Sequence, residues 1–351
     1  MNLDKNKVVV GFSGGVDSTA TALILKEKGY EVFGLYFNVL GKEIDRDSKD
    51  VNVFNVAKQI NIPLEIMDIS EEFKCHVMDY FYHEYKSGYT PNPCVQCNKH
   101  IKYELIFNYA DKIGAYFIAT GHYAKNEYDA SKNHYIIKKP LARQKDQTYV
   151  LYNLTQDKLK RILFPLGVID SKDNIRQMLA SKGIMNAQSK DSQEICFIEN
   201  DDYVDFLIKN YQYEPKEGDF IDNKGHVLGK HKGIIHYTIG QRKGLGIAFG
   251  KPLYVTSILK EKNQVVLGDN SELFKKVVYS KDNNFLYEKK WIPNLLEAKI
   301  RYSAKNSKAS IEFCEDGLLK TTFDEPQRAI TPGQSIVFYD EDILLGGGII
   351  L

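Results

Sequence analysis

Along the first 120 residues, apolar positions alternate between short unbroken runs and helical spacing. Val8-Val9-Val10 is an apolar run ending at Gly11, which reads as a parallel strand buried on both faces. Val16, Ala20, Leu23 and Ile24 follow at helical spacing, and Gly29 supplies a stop. The alternation then predicts strands over 31–37, 64–69 and 116–120. Between them it predicts a helix through Val53, Val56, Ala57 and Ile60, and further helices over 73–85 and about 99–113. Strand and helix in that order imply an α/β fold with a doubly wound parallel sheet. A polar hairpin is expected over 126–140, and helices over 156–163, from the N-cap Ser171 to Leu179, and over 202–208. Beyond Glu217 short β-rich runs recur, broken by Asn223-Lys224-Gly225, Gly244, Gly246, Gly268-Asp269-Asn270 and Gly346-Gly347-Gly348. The expected division is a catalytic α/β domain over 1–210, a small β-rich domain over 211–272 and a barrel-like β domain over 273–351.

Composition narrows the class. Of 351 residues 43% are apolar, which suits a globular chain and not a disordered one. No uncharged apolar run approaches the roughly 18 residues of a membrane span, and the short apolar run near the N-terminus does not suit a signal peptide. A cytosolic protein with no membrane partner is expected. The net charge of +1 does not advertise a polyanion, so any nucleic acid must meet a local patch. One candidate is 229–251, where Lys230, Lys232, Arg242, Lys243 and Lys251 occur without an acidic residue and with Tyr237 and Phe249 between them. By itself so short a cluster reads as a solvated basic loop.

Two stretches carry chemistry. In VVVGFSGGVDSTATALILKEKG, Ser13, Gly14 and Gly15 lie where a strand turns into a helix. Glycines let backbone N–H groups approach an anion, and the helix start adds partial positive charge, so the loop suits phosphate. It lacks the lysine of a Walker A loop; taken alone, the glycine pair could also merely shape the turn, with Asp17 or Ser18 as a cap. In TPNPCVQCNKHIKY, Cys94 and Cys97 stand three apart. The other cysteines are Cys75, Cys196 and Cys314, an odd and sparse set that argues against a disulfide framework. Structural zinc would need a second close pair, and no second C-x-x-C exists, so no metal site is expected. A redox pair stays possible on spacing, but the reading preferred is a nucleophilic thiol in a loop, with one cysteine active. Cys196, within Glu194-Ile195-Cys196-Phe197-Ile198, reads on its own as a buried core cysteine.

The string SGGVDS resembles the pyrophosphate loop of the N-type ATP pyrophosphatases, which cleave ATP to AMP and pyrophosphate while adenylating an oxygen. Further segments resemble the tRNA-specific 2-thiouridylase family, in that family's order. They are Thr90-Pro91-Asn92-Pro93, Cys97-Asn98-Lys99 with Ile101-Lys102, Ala119–Tyr123, Lys145–Leu151, Cys196–Ile198, Ile239–Ile247, Arg301-Tyr302 and Pro332–Gln334. The match spans almost the whole chain. The resemblance implies ATP-dependent thiolation of the wobble uridine of tRNA, a transferase activity that adenylates the uridine 2-oxygen and takes sulfur from a cysteine persulfide. It implies ATP contacts from Gly11, Phe12, Ser13, Gly14, Gly15, Val16, Asp17, Ser18, Phe37 and Gly121, with Asp17 helping to hold magnesium at the pyrophosphate. It makes Cys97 the nucleophile and Cys196 the persulfide carrier, the two ending as a disulfide. It assigns tRNA contacts to Asn92, Pro93, Cys94, His122, Lys145, Asp146, Gln147, Arg301, Tyr302 and Gln334, and it implies a protein persulfide donor, a cysteine desulfurase or a sulfur relay. The chain departs from the family at Cys94, where an aspartate often stands, and at Tyr89, often an arginine. The rival readings are another adenylating enzyme with a small acceptor, and a tRNA-binding sulfur carrier without catalysis; the first gives the cysteine pair no task, and the intact SGGVDS speaks against the second.

Overall fold

A computed structural model describes residues 3–43, 52–189, 195–198, 202–247 and 250–351. In chain order the first part runs β1 (Asp4–Gly11), α1 (Val16–Glu27), β2 (Glu31–Asn38), α2 (Val53–Gln59), β3 (Leu64–Asp68), α3 (Ser70–Phe73), α4 (Asp79–Lys86), α5 (Pro93–Cys97), α6 (Tyr103–Lys112) and β4 (Ala115–Ala119). It continues with β5 (Lys125–Asp129), β6 (His134–Lys138), α7 (Gln156–Leu159), β7 (Ile162–Leu163), α8 (Lys172–Ser181) and α9 (Tyr203–Tyr211). The chain divides into two compact units, one of residues 1–76, 94–193 and 342–344, the other of 77–93, 194–341 and 345–351.

The first unit is built on a parallel sheet of order β3-β2-β1-β4-β7. Val8, Val9 and Val10 are wholly buried, and their register partners are Val32, Phe33 and Gly34 on one side and Phe117, Ile118 and Ala119 on the other. An apolar run with no polar face can sit only at the centre of such a sheet, covered above and below. Ala20, Ala22 and Leu25 of α1 pack with Val56 and Ala57 of α2 and Ile175 and Leu179 of α8 in one core. The order reverses at β1, whose neighbours β2 and β4 lie on opposite sides; ligands gather beyond the carboxyl ends at such a point. The hairpin β5–β6 lies at 125–138 and pairs with Ile343 and Leu344.

Two stretches differ from the sequence expectation. The helix foreseen over 156–163 ends at Leu159, and Ile162-Leu163 instead extends the sheet as β7 beside β4. Ile162-Leu163 is a short apolar stretch, and spacing does not separate a buried strand from a helical turn there. The helix foreseen from about Lys99 begins at Pro93, so the two cysteines lie on α5 and not in a loop. Proline is tolerated in a first turn because its missing N–H would have no helical partner. A single wider turn at Asn98–Lys102 then joins α5 to α6.

The second unit holds α4, α9 and two β systems. In the first, β8 (Gly218–Ile221), β9 (Val227–His231), β10 (Tyr254–Leu259) and β11 (Gln264–Gly268) form a sheet of order β10-β11-β8-β9 around Phe220, Tyr237, Val255 and Val265. The second comprises β12 (Phe274–Phe285), β13 (Leu295–Lys299), β14 (Ser307–Phe313), β15 (Leu319–Arg328), β16 (Ser335–Asp340) and β17 (Ile343–Ile350). Pairing of β12 with β17, at Ser280–Ile350 and Phe285–Gly346, closes it. Closure removes the open edges that an antiparallel sheet otherwise exposes. Ala248 and Phe249, part of the basic stretch noted above, lie outside the described residues.

Candidate active site

The carboxyl ends of β1, β2 and β4 open onto a cleft of about 260 Å³, lined by Gly11–Ser13, Asp17, Ser18, Leu35–Phe37, Lys102, Thr120–His122 and Gln147. Gly14 has φ +74°, and a Cβ there would stand 2.9 Å from Val53 Cα, so only glycine fits the turn. The Ser13 hydroxyl accepts from the Gly15 N–H at 3.3 Å, while the hydroxyls of Ser18 and Thr19 donate to the Gly15 carbonyl. No side chain caps α1 at Gly15, so neither Asp17 nor Ser18 serves as its cap. Gly121 is small for a different reason: a Cβ would lie 3.0 Å from the Asp17 carbonyl carbon. Of the residues assigned to ATP, Gly11, Phe12, Ser13, Asp17, Ser18, Phe37 and Gly121 line the cleft. Gly14 and Gly15 shape its loop, and Val16 is buried beneath it.

Asp17 is the only carboxylate among the lining residues. Tyr123 donates its hydroxyl to Oδ1 and Lys172 its ammonium to Oδ2, each at 2.8 Å. The amide nitrogen of buried Asn186 reaches the Gly14 carbonyl at 2.6 Å and Thr19 Oγ1 at 2.8 Å, fixing the loop from below. Lys172 and Asn186 carry no motif, and nothing in their spacing points to them. Tyr123 and Lys102 lie inside matched motifs without an evident task.

Lys102 joins the cleft to the cysteines. It lines the cleft, and its charge acts on Cys94, Cys97 and His122. Burial pushes the Cys97 thiol up, and the Lys102 ammonium offsets part of that shift. Cys94 is displaced in the same direction for the same reason. Cys94 is exposed and Cys97 half-buried. His122 is buried, which holds it neutral well below the usual imidazole range. The Thr120 and Tyr103 hydroxyls lie 2.7 and 3.2 Å from its Nδ1. The Gln147 side-chain oxygen accepts from the Tyr123 N–H, and Asp146 accepts from the N–H and hydroxyl of Thr148. Lys145 lines a neighbouring basic hollow with Arg143, Lys172 and Arg176.

In the second unit, Cys196 is exposed, contrary to its reading as a core residue. Its neighbours take the buried role: Phe197 lies 5.5 Å from Phe81 and 5.1 Å from Phe206, ring to ring, and Ile198 is buried. An apolar pair anchored on one side of the turn leaves the thiol on the other. Gln334 donates from Nε2 to the Thr90 carbonyl at 2.9 Å, and the Thr90 N–H returns a bond to Pro332. The turn of Pro332–Gln334 therefore holds the backbone just ahead of Asn92 and Pro93. Arg301 reaches the Arg328 carbonyl, and Tyr302 is exposed under the Lys299 ammonium.

Comparison with known proteins places these features. The family described as "tRNA methyl transferase HUP domain" matches residues 6–200, "tRNA methyl transferase PRC-barrel domain" matches 205–269 and "Aminomethyltransferase beta-barrel domain" matches 275–350. The tRNA-specific 2-thiouridylase MnmA of Acetivibrio thermocellus is 48% identical over 360 residues, covering 99% of this chain and 100% of that protein. MnmA 2 of Caldanaerobacter subterraneus subsp. tengcongensis is 50% identical, with 98% of each chain covered, and the Clostridioides difficile protein is 47% identical at the same coverage. The domain descriptions speak of methyl transfer, whereas the full-length relatives are named for thiolation, and likeness at this level over whole chains decides between them. The chain belongs to the tRNA-specific 2-thiouridylase family.

Proposed function

We propose that this chain is a tRNA-uridine 2-sulfurtransferase, using ATP to replace the 2-oxygen of the wobble uridine by sulfur. The observation that supports it most is Lys102, which lines the glycine-loop cleft and also acts on Cys97, so nucleotide and thiol chemistry share one place. The N–H groups of the loop and the start of α1 bind the phosphates of ATP, and the backbone of Leu35–Phe37 takes the adenine. A site of one carboxylate, Asp17, suits magnesium, which keeps several waters and shares its shell with substrate phosphates. Among the described residues no cluster of three or more His, Cys, Asp or Glu side chains forms a cage of its own. When bound, magnesium would neutralise charge on the departing pyrophosphate.

The uridine 2-oxygen attacks the α-phosphorus, and pyrophosphate leaves. A neutral His122 lies beside the base without adding charge, and Asn92, Pro93 and Cys94 lead the Cys97 thiol toward it. The outer sulfur of a Cys196 persulfide attacks C2 and AMP departs; Cys97 attacks the inner sulfur, releasing 2-thiouridine and closing a Cys97–Cys196 disulfide. A reaction order in which Cys97 first frees sulfide ends in the same bond. That bond requires α-carbons within about 7 Å at the moment of transfer. Lys145, Asp146, Gln147, Arg301, Tyr302 and Gln334 complete the tRNA contacts, Asp146 and Gln334 by holding neighbouring backbone. The reading divides the chain into a catalytic domain over 1–210 and β domains over 211–272 and 273–351, places it in the cytoplasm and gives it a protein persulfide donor. No helix among the described residues is long and apolar enough to cross a membrane. AMP release measured with and without tRNA tests the reading: it should require tRNA, and release driven equally by a small acceptor would contradict it.

A further inference from the structure

Cys94 and Cys97 stand three positions apart on α5, so their side chains leave one face of one helical turn. Helix geometry sets such α-carbons about 5 Å apart, inside the roughly 4.4–6.8 Å that a disulfide spans. Cys94 is exposed and Cys97 half-buried. Both feel the Lys102 ammonium, and Cys97 feels Cys94 directly. The raised Cys94 thiol is a poorer acid than an ordinary one, so it does not substitute for the aspartate often found at this position in the family. What a thiol can do here and a carboxylate cannot is exchange a disulfide.

We propose that Cys94 is a resolving thiol, which takes over Cys97 from the disulfide formed at the end of sulfur transfer. The inference rests on the two-cysteine reading above. The Cys94 thiol loses its proton and attacks the Cys97 sulfur. The Cys94–Cys97 bond forms as the Cys97–Cys196 bond breaks, and Cys196 leaves as a thiolate that takes up the proton. One disulfide replaces another, so the step consumes neither oxidant nor reductant. Cys196 is thereby free for a new persulfide before any external thiol acts. The disulfide left for that thiol to open has the exposed Cys94 sulfur at its accessible end.

The test is one turnover of the full chain with tRNA, magnesium ATP and a protein persulfide donor, without low-molecular-weight thiol. Acid quenching, alkylation and peptide mapping then give each disulfide per thiolated tRNA formed, so a slower variant is still scored. In the native chain Cys94–Cys97 should outnumber Cys97–Cys196 by about tenfold, as for thiols held on one helical turn, with Cys196 recovered alkylated. In Cys94→Ser, and in Cys94→Ala as a second check, the disulfide should be Cys97–Cys196. If the native chain instead holds Cys97–Cys196 with Cys94 alkylated, as the variants do, the resolving role is overturned and the two-cysteine mechanism stands. If thiolated tRNA accumulates and Cys97 is in no disulfide in any of them, the mechanism itself fails and the resolving step with it.

Discussion

Asp17 and Lys102 are the carboxylate and the ammonium that line the cleft. Asp17 is held by Tyr123 and Lys172 on its two oxygens, an orientation set before any nucleotide arrives. Asp17→Ala should lower tRNA-dependent AMP formation by about a hundredfold, the scale of losing a fixed charge that acts on a leaving group. Normal AMP formation in that variant would remove Asp17 from the mechanism. Lys102 acts in the opposite sense on the thiols. It favours the thiolate of Cys97 while burial opposes it, and burial is the larger effect. Alkylation of Cys97 by iodoacetamide should therefore keep rising with pH beyond the range of a free thiol, and Lys102→Met should move the profile further up. An unchanged profile would mean that the lysine does not reach the sulfur.

At the scale of elements, the central strand and the helix after it were legible because each carries one unambiguous pattern: three consecutive valines, then apolar residues at helical spacing closed by Gly29. The start of α5 was not, since prolines and polar residues ahead of Cys94 read as loop, although proline in a first turn costs no hydrogen bond. Read by itself, Cys196 takes on the burial of the apolar run around it, whereas the turn buries Phe197 and Ile198 and presents the thiol, as the family resemblance expects of a reactive cysteine. The glycine loop that lines the cleft is legible through its motif; Lys172 and Asn186 come from distant helical and loop segments and leave no local pattern. The small β sheet shows a constraint of the same hidden kind. A Cβ on Gly218 would lie 2.1 Å from the Asn263 carbonyl oxygen and 2.6 Å from His231 Nε2. Gly218→Ala should cost about 1–3 kcal/mol, measured as a lowered unfolding midpoint in urea. His231 is locked as a neutral tautomer, donating from Nε2 to the Asn263 carbonyl and accepting at Nδ1 from the Gly233 N–H. Burial lowers its pKa, so the unfolded imidazole, near 6.5, takes a proton at a pH where the folded one does not. Stability should fall as pH drops below about 6.5, and His231→Gln should make that slope shallower by up to one proton's worth. Parallel slopes for the two proteins would show that the folded histidine titrates normally.

For the whole molecule, a net charge of +1 leaves no general attraction for tRNA, so the proposed function places its affinity in local groups. The family match covers the chain end to end, and the nucleotide loop, the cysteine helix and the second cysteine all lie within it. The central claim joins these into one reaction on one nucleoside. Its most direct test is reconstitution from the purified chain, unmodified tRNA, magnesium ATP and a donor carrying heavy-isotope persulfide, followed by digestion and mass spectrometry of the wobble nucleoside. The account predicts 2-thiouridine bearing the heavy sulfur, formed only with ATP and lost in Cys97→Ser and Cys196→Ser. Wobble uridine left unmodified while AMP accumulates, or labelled 2-thiouridine formed equally without ATP, would contradict it.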